Sequence, residues 1–77
     1  MKMNKVYDYD GDLIGYEFNG YYLMKHYTWG NSYSWIINQT GEYVYCHCEF
    51  SRAYDRGEVI PVGNFKEGKA KLMELAQ

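Results

Sequence analysis

The residues best suited to chemistry are Cys46, His47 and Cys48, with His26 some twenty positions upstream. Thiolate and imidazole are the ligands zinc prefers, four of them at tetrahedral angles. In an extended strand Cys46 and Cys48 would share one face and supply half of such a site. His26 completes it if its own strand lies alongside, and His47 joins at a bulge, at a strand end or through a second molecule. Asp55 is the alternative oxygen ligand. A disulfide between cysteines one residue apart would be strained. The competing reading is plain packing, since free cysteine is among the most buried residue types and Val44 and Phe50 flank the pair.

Asp8, Asp10 and Asp12 alternate around Gly11. Calcium loops also alternate acids, but here the glycine precedes the third acid and no bidentate glutamate follows. An acidic hairpin tip fits better, able to meet a basic patch on a partner. Between His26 and Cys48 the only formally charged residue is Glu42, yet the stretch holds Tyr27, Trp29, Tyr33, Trp35, Tyr43 and Tyr45. Charge depletion with retained Tyr and Trp is the composition of an interface centre. Trp35 and Tyr33 read as core. Tyr43, Tyr45 and Trp29 read as partner-binding residues, together with Asp8, Asp10 and Asp12. No glycine-rich phosphate loop and no Gly-x-Ser-x-Gly is present. A cysteine amid apolar neighbours is inert rather than activated, so the expectation is a protein that is not an enzyme.

Ten tyrosines, three phenylalanines and two tryptophans in 77 residues exceed what so small an interior can hold. Some rings must face solvent, where tyrosine's apolar body and polar tip suit a surface that is wet when free and dry when bound. The net charge of −2 argues against generic nucleic-acid binding. No apolar stretch follows Met1, so neither a signal peptide nor a membrane span is expected.

The elements that must position these residues are marked by turns. Asp10-Gly11 and Asn19-Gly20 are two-residue hairpin signals. Trp29-Gly30-Asn31 and Thr40-Gly41 break the chain again. The strands so bounded are Lys5–Tyr9, Asp12–Phe18, Tyr21–Thr28, Ser32–Gln39 and Glu42–Phe50. In Tyr21–Thr28 both faces are apolar, and the pattern leaves open whether Leu23 or Met24 is core. Residues 51–63 read as a long polar loop in which Val59, Ile60 and Val62 add a short strand or anchor the linker. Residues 65–76 read as an amphipathic helix capped by Asn64, with Glu67 completing the capping box. Gly68 on its buried side predicts close approach to a bulky ring, with Trp35 as the candidate. The expected fold is α+β: a single domain over 1–77, a four- to five-stranded antiparallel β-meander over about 4–50, and one C-terminal α-helix on one face.

A Trp within a central strand, Tyr33-Ser34-Trp35-Ile36-Ile37, is followed by a short terminal helix, Asn64-Phe65-Lys66-Glu67-Gly68-Lys69-Ala70-Lys71. In this layout the chain resembles small phage and prophage proteins of Gram-positive bacteria, among them the type II-A anti-CRISPR proteins that block Cas9. The resemblance implies a non-enzymatic inhibitor in the bacterial host cytoplasm that binds Cas9 directly and prevents DNA loading or cleavage. It carries over no inhibitory residue. The mild charge favours an allosteric or lobe-binding mode over DNA mimicry. The alternatives are a small nucleic-acid-binding sheet of phage origin, or a homodimeric interaction protein stabilised by structural zinc.

Overall fold

The computed structural model describes residues 2–26, 35–42 and 47–77; the side chain of His47 is outside that description. Among the described residues five strands form one antiparallel sheet in sequence order: β1 (Asn4–Tyr7), β2 (Leu13–Phe18), β3 (Tyr21–Lys25), β4 (Trp35–Asn38) and β5 (Ile60–Val62). Helix α1 (His47–Asp55) stands between β4 and β5, and α2 (Phe65–Leu75) follows β5. The fold is the expected α+β meander with a C-terminal helix packed on it, plus a second helix. Among the described residues no helix is long and apolar enough to cross a membrane.

The turn between β2 and β3 is set by Asn19 and Gly20, with φ of 52° and 86°. Positive φ at both central positions is the two-residue turn whose twist matches the strands it joins. From there the register runs Gly15↔Met24↔Ile36↔Pro61 on one face of the sheet and Tyr16↔Leu23↔Ile37↔Ile60 on the other. Leu23 and Met24 are both 0% exposed. The sequence could not choose between them because both sides of the strand are core. Met24 and Ile36 pack with Phe50 and Ala53 of α1 and with Val59. Leu23, Ile37 and Val62 pack with Leu72 of α2, and Phe65 and Leu75 close around them. Each face of the sheet thus carries its own helix, and adjacent residues of β3 and β4 serve different cores.

Helix α1 corrects the expectation of a strand over Glu42–Phe50 and a loop over 51–63. Residues 47–50 open a helix that ends at Asp55, and residues 43–46 lie outside the described residues. Phe50 and Ala53, three apart, share the buried side, while Cys48, Glu49 and Arg52 face water. Glu49 in the first turn and Arg52 in the last complement the helix dipole. Gly57, at φ 71°, stops the helix: its N–H donates to the Tyr54 carbonyl and that of Glu58 to the Ala53 carbonyl. Those two bonds are the glycine-terminated Schellman pattern. Of the two readings left open for Val59, Ile60 and Val62, the short strand is the one formed, as β5.

Helix α2 begins as the sequence indicates. Asn64 is extended, and its Oδ1 accepts the Glu67 amide at 2.8 Å. Gly68 does permit close approach, but to aliphatic groups rather than to a ring. A Cβ there would stand 2.6 Å from Leu23 Cδ1 and 3.0 Å from Val62 Cγ2. Trp35 packs instead on Phe65, with ring centroids 5.3 Å apart.

Candidate functional site

The connection between β1 and β2 is the most distinctive surface of the domain. Asp8 organises it. Its Oδ1 accepts the amides of Asp10 and Asp12, each at 2.9 Å. Its own N–H donates to the Asp12 carbonyl at 2.9 Å, and its carbonyl accepts the Gly11 amide at 3.0 Å. One short side chain replaces several backbone partners, as aspartate does in tight turns. The backbone of the apex is thereby tied by four hydrogen bonds, all made through Asp8. On it Tyr9 is 98% exposed, and Asp10 and Asp12 stand in water beside it. A ring among carboxylates offers apolar contact area together with negative charge. Asp8, Asp10 and Asp12 are thus brought together as the sequence indicates, but not by a two-residue turn at Asp10-Gly11: β1 ends at Tyr7, Tyr9 belongs to the loop, and Gly11 takes positive φ (88°) while Asp10 does not.

Tyr9 is not among the partner-binding residues expected from the sequence. Its signal was available: a residue immediately before Asp-Gly sits at the apex of a tight turn, where no core can cover it. Tyr7 and Tyr54 are also exposed. Trp29, Tyr43 and Tyr45 lie outside the described residues.

The residues considered for zinc are dispersed over three settings. His26 directly follows β3, is 5% exposed and stacks on Phe50 of α1. Cys48 is a free, exposed thiol on α1, not one of two thiolates on a strand face. Asp55, expected in a loop, is the exposed last residue of α1. Cys46 and the side chain of His47 are outside the described residues. Among the described residues no three His, Cys, Asp or Glu side chains gather where a metal ion could be held.

Two other surfaces have defined chemistry. On the α2 side, Tyr16, Trp35 and Phe65 form an aromatic trio with centroids 5.2–6.3 Å apart. Cross-strand pairing sets Lys5 opposite Tyr16 and Lys25 opposite Trp35. At the far end of the sheet an open groove of about 370 Å³ is lined by Tyr21, Ile37, Asn38, Thr40, Glu58 and Ile60. Glu58 supplies its charge and is held by Arg56 Nε at 2.7 Å. Asn38 in its floor accepts the Gly41 amide and donates to the Glu42 carbonyl.

No family model matches the chain, and neither a curated protein nor a solved structure matches it.

Proposed function

We propose that this chain is a non-enzymatic binding protein that inhibits its partner through the β1–β2 tip. The observation that supports this reading is Tyr9, 98% exposed on an apex fixed by Asp8. A rigid aromatic loses little entropy on binding, and a preorganised turn loses less still. Asp10 and Asp12 favour a basic partner surface and speed the encounter, while the ring slows dissociation. A nucleic-acid-handling enzyme presents such a surface. The resemblance to type II-A anti-CRISPR proteins makes Cas9 the first partner to test.

Two experiments test the reading. The tagged chain is used to capture partners from a bacterial lysate, which are then identified by mass. In parallel it is titrated into Cas9 and scored for binding and for loss of DNA cleavage. Tyr9→Ala is expected to weaken the complex about thirtyfold, the effect of losing one interface anchor. Wild-type binding by both Tyr9→Ala and the Asp10→Asn/Asp12→Asn double variant would remove the tip from consideration.

A second reading, a small nucleic-acid module, is favoured by the cross-strand placement of Lys5 and Lys25 beside the rings of Tyr16 and Trp35. Rings interleaved with cations are how single strands are bound. Titration with short single-stranded DNA at low salt discriminates: tight, salt-sensitive binding supports this second reading, and its absence supports the first.

A further inference from the structure

Among the described residues the sheet ends at β1 and β5, and these two edges differ in kind. Edge β5 has three residues and a proline, Pro61, which cannot donate to a further strand. Edge β1 has four residues and no proline, and among the described residues it pairs with β2 alone. Helix α2 packs on β3, β4 and β5, away from that edge. The β-bulge in the β1–β2 pair falls on β2, where Ile14 is the extra residue between Leu13 and Gly15, so β1 itself stays regular.

The direction of the free backbone groups follows from Asp8. Its N–H and C=O both point inward, to Asp12 and Gly11. Successive residues of a regular strand turn their backbone groups to opposite sides. Val6 therefore points inward to β2, while Tyr7 and Lys5 present N–H and C=O outward. Side chains alternate as well: Val6 packs with the Met24 cluster, whereas Met3 packs with the Leu23 cluster on the other face, the face of Lys5 and Tyr7.

We infer that β1 pairs antiparallel with β1 of a second copy, about a two-fold axis at Val6, joining two five-stranded sheets into one. An antiparallel partner must match outward groups with outward groups, so the axis falls on Lys5, Val6 or Tyr7. On Lys5 it sets two ammonium groups opposite each other, which is destabilising. On Tyr7 it sets Val6 against Asp8. On Val6 it sets valine against valine, and on the opposite face each Lys5 against the exposed ring of Tyr7 of the second copy. That contact is cation–π in character and occurs twice. Lysine, which commonly protects an edge, here selects one register. Two short strands bury less than the roughly 1,200 Å² of a standard stable interface, so the dimer is weak and forms with rising concentration. The inference is independent of the proposed partner, because Tyr9 lies beyond the paired strand.

Sedimentation and light scattering over a dilution series read the association directly. The wild-type chain is expected to shift from monomer toward dimer as concentration rises. Tyr7→Pro deletes an outward N–H while leaving every bond to β2 in place, and it should stay monomeric with unchanged circular dichroism. Should that variant fail to fold, cross-linking decides. In a Cys46→Ser/Cys48→Ser background, Val6→Cys places two thiols on the axis. Opposed Cα atoms in such a non-hydrogen-bonded pair are about 4.5 Å apart, within disulfide range. Lys5→Cys thiols would be diagonal, about 7–8 Å apart, and should cross-link at least tenfold more slowly. A wild-type chain monomeric at every concentration, a folded Tyr7→Pro dimer, or equal cross-linking at both positions would overturn the inference.

Discussion

Phe50 lies stacked on His26, with ring centroids 4.9 Å apart and planes 23° apart. This contact ties α1 to the end of β3, where the sheet's first core begins. Tyr54 also stacks on Phe50, at 5.9 Å. Phe50 is buried and Tyr54 is exposed. Phe50→Ala is expected to cost about 3–4 kcal/mol, the range for truncating a buried aromatic. Tyr54→Ala should cost less than about 1 kcal/mol, since most of its ring is already in water. Urea denaturation followed by circular dichroism measures both, and similar midpoints would refute the assignment of Phe50 as the anchor of α1.

Gly68→Ala sets two effects against each other. Alanine in mid-helix favours α2 by about 1 kcal/mol. Its Cβ, 2.6 Å from Leu23 Cδ1 in the unrelaxed structure, must push a fully buried side chain. Overpacking of this kind costs about 1–3 kcal/mol. The net expectation is destabilisation by about 1 kcal/mol, relieved when Leu23→Val removes the obstructing methyl groups. A double-mutant cycle reads the coupling between the two sites, and simple additivity would show that no clash exists.

Asn64 holds the start of the same helix by accepting the Glu67 amide. Asn64→Ala should lower stability by about 1 kcal/mol, and Asn64→Asp should leave it nearly unchanged. Thermal unfolding separates the two variants, and equal losses would mean that the side-chain oxygen is not what matters.

At the tip, Asp8 and Tyr9 should part company. Asp8→Ala releases two amides from one acceptor and is expected to cost about 1 kcal/mol. Amide exchange of Asp10 and Asp12 should accelerate with it. Tyr9→Ala should alter stability by no more than about 0.5 kcal/mol, as befits an exposed ring. Faster exchange at Asp10 and Asp12 in Tyr9→Ala would show that the ring, not the carboxylate, shapes the apex.

The first four strands and the last helix were legible because local chemistry fixes them. Asn19-Gly20 imposes its turn, and Asn64 with Glu67 marks where α2 starts. Helix α1 was not legible from alternation, since Val44, Cys46, Cys48 and Phe50 fit a period of two. The better signal was the spacing of Phe50 and Ala53 ahead of Gly57, a buried pair one turn apart before a helix-stopping glycine. The cysteine site requires a strand geometry that Cys48, in α1, does not have. The acidic tip was legible, since turn residues need no distant partner to take their shape. Tyr9 was less legible because charge depletion marks the rings between His26 and Cys48, not a ring flanked by Asp8 and Asp10.

A sheet that is oily on both sides polices its own alignment poorly. Sliding β3 by one position would exchange Leu23 for Met24 and leave nearly as much hydrocarbon covered. What forbids the slip is the tight reversal at Asn19-Gly20, whose Asn19 amide also reaches across to the Ala76 carbonyl at 2.9 Å. A single reverse turn at the surface, rather than the hydrocarbon inside, therefore decides which of two nearly equivalent interiors the chain builds.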